Sequence, residues 1–406
     1  MKVLNINTSY GKGGAALLMD LLAKNIEKTV SWENYFIFGY KPEIINENVY
    51  CVKETEHYSF GQRKLRRILM EQDFMDLYLP SESYFLLKYT KEIRPDIIHL
   101  HNLHGRYFQI NLTQKLSKIA PIVWTFHDMF PITGHCAHSF ECEKWKTGCG
   151  NCERLDIYPY IKKDHTKFLW NYKNKIYNSA DFTIVTPSLW LKKCVEQSFL
   201  KNKDIRLIYN GIDLENFKKM DKYQAREQLG LPQDKKIVLF SADGGVKNPF
   251  KGGEFVFKTF EKLKNRNDDI LFLNIGGESN QKSNNWLDFG YVKERKTMVM
   301  LYSAADIYLF PTLADNCPLT AIESLACGLP VVTFETGGVS EIVEKDKTGF
   351  VVEYKNGEML TSALEKLLDD DDLREKMSKN AVEASKKFSS KRMALEYLKL
   401  YEELLK

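Results

Sequence analysis

Short apolar runs alternate with amphipathic segments along the chain, and they fall into two series. The first series predicts strands at residues 2–7, 34–40, 95–102, 120–128 and 181–188. The second predicts strands at residues 205–213, 235–244, 269–277, 305–312 and 329–338. Helical patterns separate several of these runs, including the segments 11–28, 252–264 and 295–304. Buried strands that alternate with helices predict an α/β protein built on doubly wound parallel sheets.

Because the alternation of strands and helices occurs in two successive series, the sequence predicts two Rossmann-like domains. We place the first at residues 1–205, with a cysteine-rich insertion at 129–155, and the second at 206–388. Residues 389–406 form an amphipathic helix. A chain of 406 residues is long for a single core, which agrees with two domains. Polar or glycine-rich segments follow many of the strands, where ligands of such sheets bind, so two domains facing across a cleft are expected.

Composition narrows the function without identifying it. The chain is 44% hydrophobic and 28% charged, with a net charge of +4, which is typical of a globular protein. We expect no role with nucleic acid, because the chain lacks a strong basic stripe and a nucleic-acid motif. No apolar run approaches the ~20 residues of a membrane span, and the first residues resemble a strand rather than a signal peptide. A cytoplasmic protein is expected.

The segment DNCPLTAIESLACGLPVV, residues 315–332, places two acids in an otherwise apolar run. Pro318 suits a first helical turn, so Asp315 precedes the helix and Glu323 lies inside it. Both acids then lie around a helix N-terminus, where free backbone N–H groups and the helix dipole suit a phosphate. A helix cap followed by a solvated glutamate is the alternative.

Four of the eight cysteines lie close together in the sequence: Cys136, Cys142, Cys149 and Cys152. In a cytoplasmic chain, thiols grouped in this way suit a structural zinc ion. An iron–sulfur cluster and plain reduced thiols are the alternatives. A zinc ion would stabilise the long insertion beside His127.

A basic segment, residues 60–79, interleaves arginine and lysine with apolar residues. Its basic residues are Arg63, Lys64, Arg66 and Arg67, and its apolar ones are Leu65, Ile68, Leu69 and Phe74. Such a helix could rest on the anionic cytoplasmic face of the inner membrane, which would suit a lipid-linked acceptor. A solvated helix face is the alternative.

Taken together, these segments resemble the family 4 retaining glycosyltransferases of GT-B fold. The resemblance covers nearly the whole chain and rests on GKGG, TFHD, YNGID, PFKGG, the acid pair and TGGVSEIV. The part from HLHN to CGNC is similar to a bacterial subgroup that builds colanic-acid-like capsule, exopolysaccharide or O-antigen. The resemblance implies transfer of a sugar from a UDP- or GDP-sugar to a saccharide acceptor with retention of configuration. It also implies a donor on the second domain, an acceptor on the first, and a last helix that returns to the first domain.

The resemblance also assigns roles in the second domain. Lys251 would hold the diphosphate and stabilise the leaving group. Asp315 would contact hydroxyls of the donor sugar, and Glu323 those of the ribose, since a carboxylate accepts from two neighbouring hydroxyls. After Pro318, the N–H groups of Leu319 and Thr320 would face the diphosphate.

In the first domain, Gly13 and Gly14 would let the backbone approach the phosphates. His127 would lie near the reacting sugar and donate to a sugar oxygen or organise the acceptor. The alternatives are a plain turn and a histidine satisfied by its neighbour. We expect His99, His101 and His104 to be acceptor-side or structural residues.

We expect front-side attack, in which the leaving diphosphate takes the acceptor proton, because no pair of acids suits a double displacement. No cofactor is required for this chemistry. Two departures from the family pattern leave open an alternative, a catalytically weak GT-B protein that binds a sugar or a partner, although the intact Lys251, Glu323 and glycines argue against it. Gly245 stands where the family has arginine, for which Lys247 could substitute, and Asp315 stands where the family has glutamate.

Overall fold

The chain forms two compact units, Met1–Tyr209 together with Met393–Lys406, and Asn210–Arg392. The structure is a computed structural model that describes residues 1–11, 13–40, 48–52, 60–71, 77, 80–264, 269–277, 283 and 285–406. The sequence pattern placed the corresponding boundaries after residues 205 and 388.

The strands of the first unit are all parallel. They are β1 (Lys2–Asn7), β2 (Glu33–Phe38), β3 (Val49–Cys51), β4 (Ile97–Leu100), β5 (Ile122–Thr125), β6 (Thr183–Thr186) and β7 (Ile205–Leu207). Among the described residues they form a seven-stranded sheet in the order β3-β2-β1-β4-β5-β6-β7. The pattern had assigned the run that contains β7 to the second series, but β7 pairs with β6 at the edge of the first sheet.

The first unit also contains helices, several of which bury apolar residues. They are α1 (Gly14–Thr29), α2 (Phe60–Glu71), α3 (Pro80–Ile93), α4 (Leu112–Leu116), α5 (Thr166–Asn178) and α6 (Leu189–Glu196). In α1 the buried positions Leu18, Leu22 and Ile26 recur at the helical period. The core of this unit combines strand residues such as Leu4, Ile98 and Trp124 with residues of these helices.

The second unit repeats the design. Its strands are β8 (Lys236–Ser241), β9 (Ile270–Ile275), β10 (Trp286–Gly290), β11 (Ile307–Phe310), β12 (Val331–Phe334) and β13 (Gly349–Val352). In the described part of the chain they form a six-stranded parallel sheet in the order β10-β9-β8-β11-β12-β13. Its helices are α7 (Lys222–Leu229), α8 (Gly253–Leu263), α9 (Arg295–Ala304), α10 (Leu319–Ala326), α11 (Val339–Ile342), α12 (Gly357–Asp369) and α13 (Asp371–Ser385).

The last helix, α14 (Ser390–Leu404), belongs to the first unit from Met393 onward. It buries Tyr397 and Tyr401. The hydroxyl of Tyr397 lies 2.7 Å from Thr125 Oγ1, and that of Tyr401 lies 2.7 Å from His99 Nδ1. These contacts attach α14 to the residues at the ends of β4 and β5.

Both sheets are doubly wound, as the pattern predicts, and this fold class is confirmed. In each sheet the strand order reverses beside the first strand, between β1 and β4 in one unit and between β8 and β11 in the other. Ligands of such sheets bind beyond the carboxyl ends of the strands at this reversal. The loops that follow β1, β4, β8 and β11 are therefore the candidate ligand-binding loops of the two units.

Candidate functional site

In the second unit, the loops after β8 and β11 place Lys251 against Asp315. The Lys251 ammonium donates to Asp315 Oδ2 at 2.6 Å, and the Thr312 hydroxyl donates to the same oxygen at 2.6 Å. The side chains of Lys251 and Asp315 are only 24% and 16% exposed, so water screens this ion pair less than a surface pair. The two loops thus hold one cation and one carboxylate together at the reversal point of the sheet.

Glycine makes this arrangement sterically feasible. Gly252 has φ +67°, and a Cβ on it would lie 1.9 Å from the carbonyl oxygen of Pro311. A Cβ on Gly253 would lie 1.9 Å from the carbonyl oxygen of Val246. The backbone before α8 therefore packs directly on the end of β11, which brings Lys251 within reach of Asp315.

The departure at Gly245 also has a steric basis. This residue is buried with φ +59°, and a Cβ on it would lie 2.8 Å from Gly277 Cα. Any side chain would therefore need the loop after β9 to move. Lys247, which could substitute for the missing arginine, is exposed.

The N-terminus of α10 follows Asp315. Pro318 is the N-cap, with ψ 121°, and no side chain caps the helix. The sequence had placed Pro318 in the first turn, and the structure places it one position earlier. The first N–H groups of a helix have no partner within it and carry partial positive charge, so the helix end at Leu319 and Thr320 would suit an anion.

Glu323 lies in the second turn of α10 and is half-buried. The hydroxyl of Tyr302, from α9, donates to Glu323 Oε2 at 3.3 Å. Burial raises the pKa of Glu323 to about 7, although the hydrogen bond from Tyr302 and the charge of Arg295 oppose that rise. Near neutral pH this carboxyl group is therefore close to half-ionised.

In the first unit, Gly13 and Gly14 begin α1. Gly13 is the N-cap with φ +82°, a conformation that favours glycine. A Cβ on Gly13 would meet no described atom within 4 Å, so the backbone conformation, not crowding, explains the glycine. Lys12, between these residues and β1, lies outside the described part of the chain.

His127 follows β5 and contacts another histidine. His127 Nε2 lies 3.0 Å from His101 Nδ1, and the two rings stack with their centroids 5.3 Å apart. Burial lowers the pKa of His127 to about 4. A histidine with such a pKa is neutral at physiological pH and acts through hydrogen bonds rather than through positive charge.

Both carboxylate oxygens of the next residue, Asp128, have hydrogen-bond partners. Its Oδ2 lies 3.1 Å from His104 Nε2, and its Oδ1 accepts from the Phe130 N–H at 2.8 Å. Burial acts to raise the pKa of Asp128, but His104 and the hydrogen bonds outweigh it, so the pKa lies below its usual value. His104 in turn lies 3.1 Å from the hydroxyl of Tyr158.

Several hydrogen-bond partners of these residues were not predicted from the sequence. Thr312 and Tyr302 bind the two acids. Thr125 and Tyr401 bind His99, and Tyr397 binds Thr125. Thr312 is the last residue of the predicted strand 305–312, a position at the sheet edge where ligands bind. Tyr397 and Tyr401 carry no local signal, because their contacts depend on where α14 docks.

The four cysteines line a cavity of 440 Å³ together with His135. Cys152 Sγ lies 3.7 Å from His135 Nε2, whereas Cys142 is exposed. Burial raises the pKa of Cys136 to about 12 and that of Cys149 to about 11. Across the described residues, no group of three or more histidine, cysteine or acidic side chains is placed to hold a metal ion. The structural zinc at these cysteines therefore stays a prediction.

The basic segment is partly described. It forms α2, on which Lys64, Leu65, Arg67 and Ile68 are exposed. The side chains of Arg63 and Arg66, and the whole of Phe74, lie outside the described residues. No helix in the described ranges has the length and apolarity needed to span a bilayer.

Comparison with known proteins agrees with the resemblance of the motifs. The profile of the family described as "Glycosyltransferase Family 4" matches residues 45–216, and that of "Glycosyl transferases group 1" matches residues 221–384. The chain is 25% identical over 362 residues to the putative colanic acid biosynthesis glycosyl transferase WcaC of Escherichia coli K12. That match covers 85% of this chain and 86% of the relative.

Solved structures show the same fold at low sequence identity. Sucrose-phosphate synthase from Thermosynechococcus elongatus superposes with a TM-score of 0.75 at 19% identity, over 99% of this chain and 98% of that one. Anabaena Alr3699/HepE, solved in complex with UDP-glucose, superposes with a TM-score of 0.69 at 15% identity, over 100% of both chains. These likenesses establish the GT-B fold, and the two profiles together span most of the sequence. The chain belongs to the family 4 glycosyltransferases.

Proposed function

We propose that the protein is a retaining hexosyltransferase that moves a sugar from a UDP- or GDP-sugar to a lipid-linked saccharide during surface polysaccharide biosynthesis. The observation that carries this proposal is the arrangement in the second unit. There, Lys251, Asp315 and the uncapped N-terminus of α10 follow strands on the two sides of the sheet's reversal point. The likeness to WcaC supports the polysaccharide context.

Lys251 and α10 suit the diphosphate of the donor. A partly buried ammonium and free helix N–H groups both favour negative charge, and the charge on the diphosphate grows as the sugar leaves. Lys251 is already held by Asp315 at 2.6 Å, so little reorganisation is needed when the donor arrives. Asp315 then offers its carboxylate to hydroxyls of the donor sugar.

Glu323 suits the ribose. Its carboxylate lies on α10 below the diphosphate position, and Tyr302 fixes the orientation of one oxygen. Neighbouring ribose hydroxyls can both donate to an ionised carboxylate. The first unit takes the acceptor, and His127 donates to a sugar oxygen or organises the acceptor hydroxyl.

The transfer proceeds on one face of the sugar. The bond between the anomeric carbon and the diphosphate oxygen breaks, and a bond to the acceptor oxygen forms on the same face. The acceptor proton passes to the departing diphosphate. Lys251 and α10 stabilise the charge that develops, so no cofactor takes part in this step.

A lipid-linked acceptor calls for contact with a membrane. The exposed face of α2 presents Lys64 and Arg67 beside Leu65 and Ile68. Basic side chains attract anionic lipid, while apolar ones enter the interface. We place this contact at the cytoplasmic face of the inner membrane.

A thermal-shift panel of UDP- and GDP-sugars tests the donor site. A ligand that binds only the native state stabilises it by ~2.7 kcal/mol at a hundredfold excess over its dissociation constant. We expect one nucleotide class to stabilise the parent and Lys251→Ala to abolish the shift. Lys258→Ala is the matched control, since this exposed lysine lies on α8 a few residues away. A full shift in Lys251→Ala would refute the residue assignment.

The alternative, a GT-B protein that binds sugar without transferring it, is favoured by Gly245, which leaves no room for the family's arginine. It predicts the same thermal shifts but no release of nucleotide. Release of nucleotide diphosphate in the presence of donor therefore separates the two functions.

A further inference from the structure

Neutral histidines at the ends of β4 and β5 form a contiguous buried group in the first unit. His99 and His101 are 0% and 3% exposed, and their ring centroids lie 4.0 Å apart. His101 Nδ1 then lies 3.0 Å from His127 Nε2. His127 is the residue that we place at the reacting sugar, so the protonation of its two nitrogens decides what it can do.

Only one proton can occupy the hydrogen bond between His101 and His127. A neutral imidazole has one N–H donor and one bare nitrogen acceptor. Burial lowers the pKa of both rings, so both are neutral at physiological pH. Either His101 Nδ1–H donates to His127 Nε2, or His127 Nε2–H donates to His101 Nδ1.

The other nitrogen of His101 selects between these two arrangements. His101 Nε2 is buried and finds no hydrogen-bond partner among the described residues. If His127 were the donor, the proton of His101 would lie on Nε2, and a buried N–H would have no acceptor. Orphaned buried N–H groups are rarer in proteins than acceptors with an unused lone pair. The proton of His101 is therefore better placed on Nδ1.

Neighbouring contacts hold His101 in this orientation. Its carbonyl accepts from Trp124 Nε1 at 2.9 Å, and its ring packs on that of His99. His99 is itself fixed on both nitrogens, by Thr125 Oγ1 at 2.8 Å and by the hydroxyl of Tyr401 at 2.7 Å. Helix α14 thereby supports the ring against which His101 packs.

We infer that His101 is a positioning residue that holds His127 in the tautomer protonated at Nδ1. In this tautomer Nε2 of His127 is occupied as an acceptor, and its N–H lies on Nδ1. His127 then serves as a hydrogen-bond donor to an oxygen, and it cannot accept the acceptor proton through Nε2. This role for His127 rests on the proposed function, whereas the tautomer itself does not.

Nitrogen-15 NMR of histidine-labelled full-length protein tests the tautomer directly, because protonated and bare ring nitrogens have very different shifts. The signals of His127 are identified by their loss in His127→Asn. We expect Nδ1 of His127 to be protonated and Nε2 to be bare at neutral pH. A protonated Nε2 in the parent protein would overturn the inference.

A matched pair of substitutions tests the positioning role. His101→Asn keeps a donor near the position of Nδ1, whereas His101→Asp offers only acceptors and should move the proton of His127 to Nε2. We expect kcat to fall by roughly tenfold or more in His101→Asp, about the value of one transition-state hydrogen bond, with little change in donor KM. We expect His101→Asn to restore most of kcat. Equal losses in two variants that unfold at the parent's temperature would exclude the donor role.

The two proposals fail in different ways. If the parent turns over no nucleotide sugar while His127 is protonated at Nδ1, the proposed function fails and the tautomer stands. If turnover is observed with Nε2 protonated, the function stands and the tautomer is wrong.

Discussion

At the scale of single residues, the two acids around α10 have opposite electrostatic environments. Asp315 forms an ion pair with the Lys251 ammonium at 2.6 Å. Glu323 is half-buried beside Tyr302, and burial raises its pKa to about 7. The sequence shows both carboxylates as equal partners, and only the packing of α9 against α10 distinguishes them.

We predict that donor binding depends on pH through Glu323. Its pKa in the folded protein is raised from 4.5 to about 7, so burial favours the protonated form and the ionised form prevails only above pH 7. The ribose hydroxyls need the ionised form, and the dissociation constant should therefore rise roughly tenfold between pH 8 and pH 6. Calorimetric titration with a nucleotide sugar suits this test, because its diphosphate diester does not titrate in this range.

Glu323→Gln is the control for this prediction. The amide does not ionise, so binding should be weaker than in the parent at pH 8 and independent of pH. A parent protein whose affinity is the same at both pH values would contradict the role assigned to Glu323.

At the scale of elements, the approach of α8 to β11 depends on two consecutive glycines. Gly252 is the N-cap of α8 with φ 67° and ψ 30°, and it lies against Pro311. Because Lys251 immediately precedes it, the position of this lysine follows from a backbone contact that no side chain could replace. The two glycines of the motif PFKGG therefore meet a packing requirement of the fold.

We predict that Gly252→Ala is far more damaging than Gly230→Ala. Both glycines adopt nearly the same conformation, since Gly230 has φ 64° and ψ 30° at the end of α7. A left-handed alanine costs about 1–2 kcal/mol at either site, but only at Gly252 would the new Cβ lie 1.9 Å from a carbonyl oxygen. Urea unfolding should show at least about 2 kcal/mol of further loss for Gly252→Ala. Equal losses would mean that the loop before α8 can move away from β11.

Many of the strands could be predicted from the sequence, because apolar runs such as residues 2–7 and 235–244 coincide with buried central strands. The short edge strands β3, β10 and β13 were missed. They contain few residues and gain their stability from pairing with a neighbour rather than from their own pattern. The partners of His99 were missed for a similar reason, since Tyr397 and Tyr401 are brought to it by α14 from the far end of the chain.

At the scale of the whole molecule, the two units have the same architecture but carry different chemistry. The second unit presents an ion pair and an open helix end, which suit a charged donor. The first presents neutral, hydrogen-bonded histidines and a basic helix, which suit a saccharide acceptor and a lipid surface. The resemblance to the family implied this division of roles, whereas the hydrogen-bond partners could be identified only in the folded units.

We predict that the protein binds anionic vesicles through α2. Leu65 and Ile68 are 40% and 47% exposed beside Lys64 and Arg67. Each basic residue near such a surface contributes ~1 kcal/mol, so Lys64→Glu with Arg67→Glu should weaken cosedimentation by at least about tenfold. Lys88→Glu with Lys91→Glu on α3 changes the net charge equally and should have little effect. A parent protein that ignores vesicles of phosphatidylglycerol would contradict the membrane contact.

We propose that the protein transfers a sugar from a nucleotide sugar with retention of configuration, and proton NMR of the reaction tests this proposal most directly. The protein is incubated with the nucleotide sugar that stabilises it and with a panel of octyl glycosides as acceptors. If no glycoside accepts the sugar, hydrolysis by water is followed instead. We expect release of nucleotide diphosphate and a new anomeric signal with the configuration of the donor. Inverted configuration would contradict the proposed mechanism, and tight binding without any release of nucleotide would show that the protein binds the sugar without transferring it.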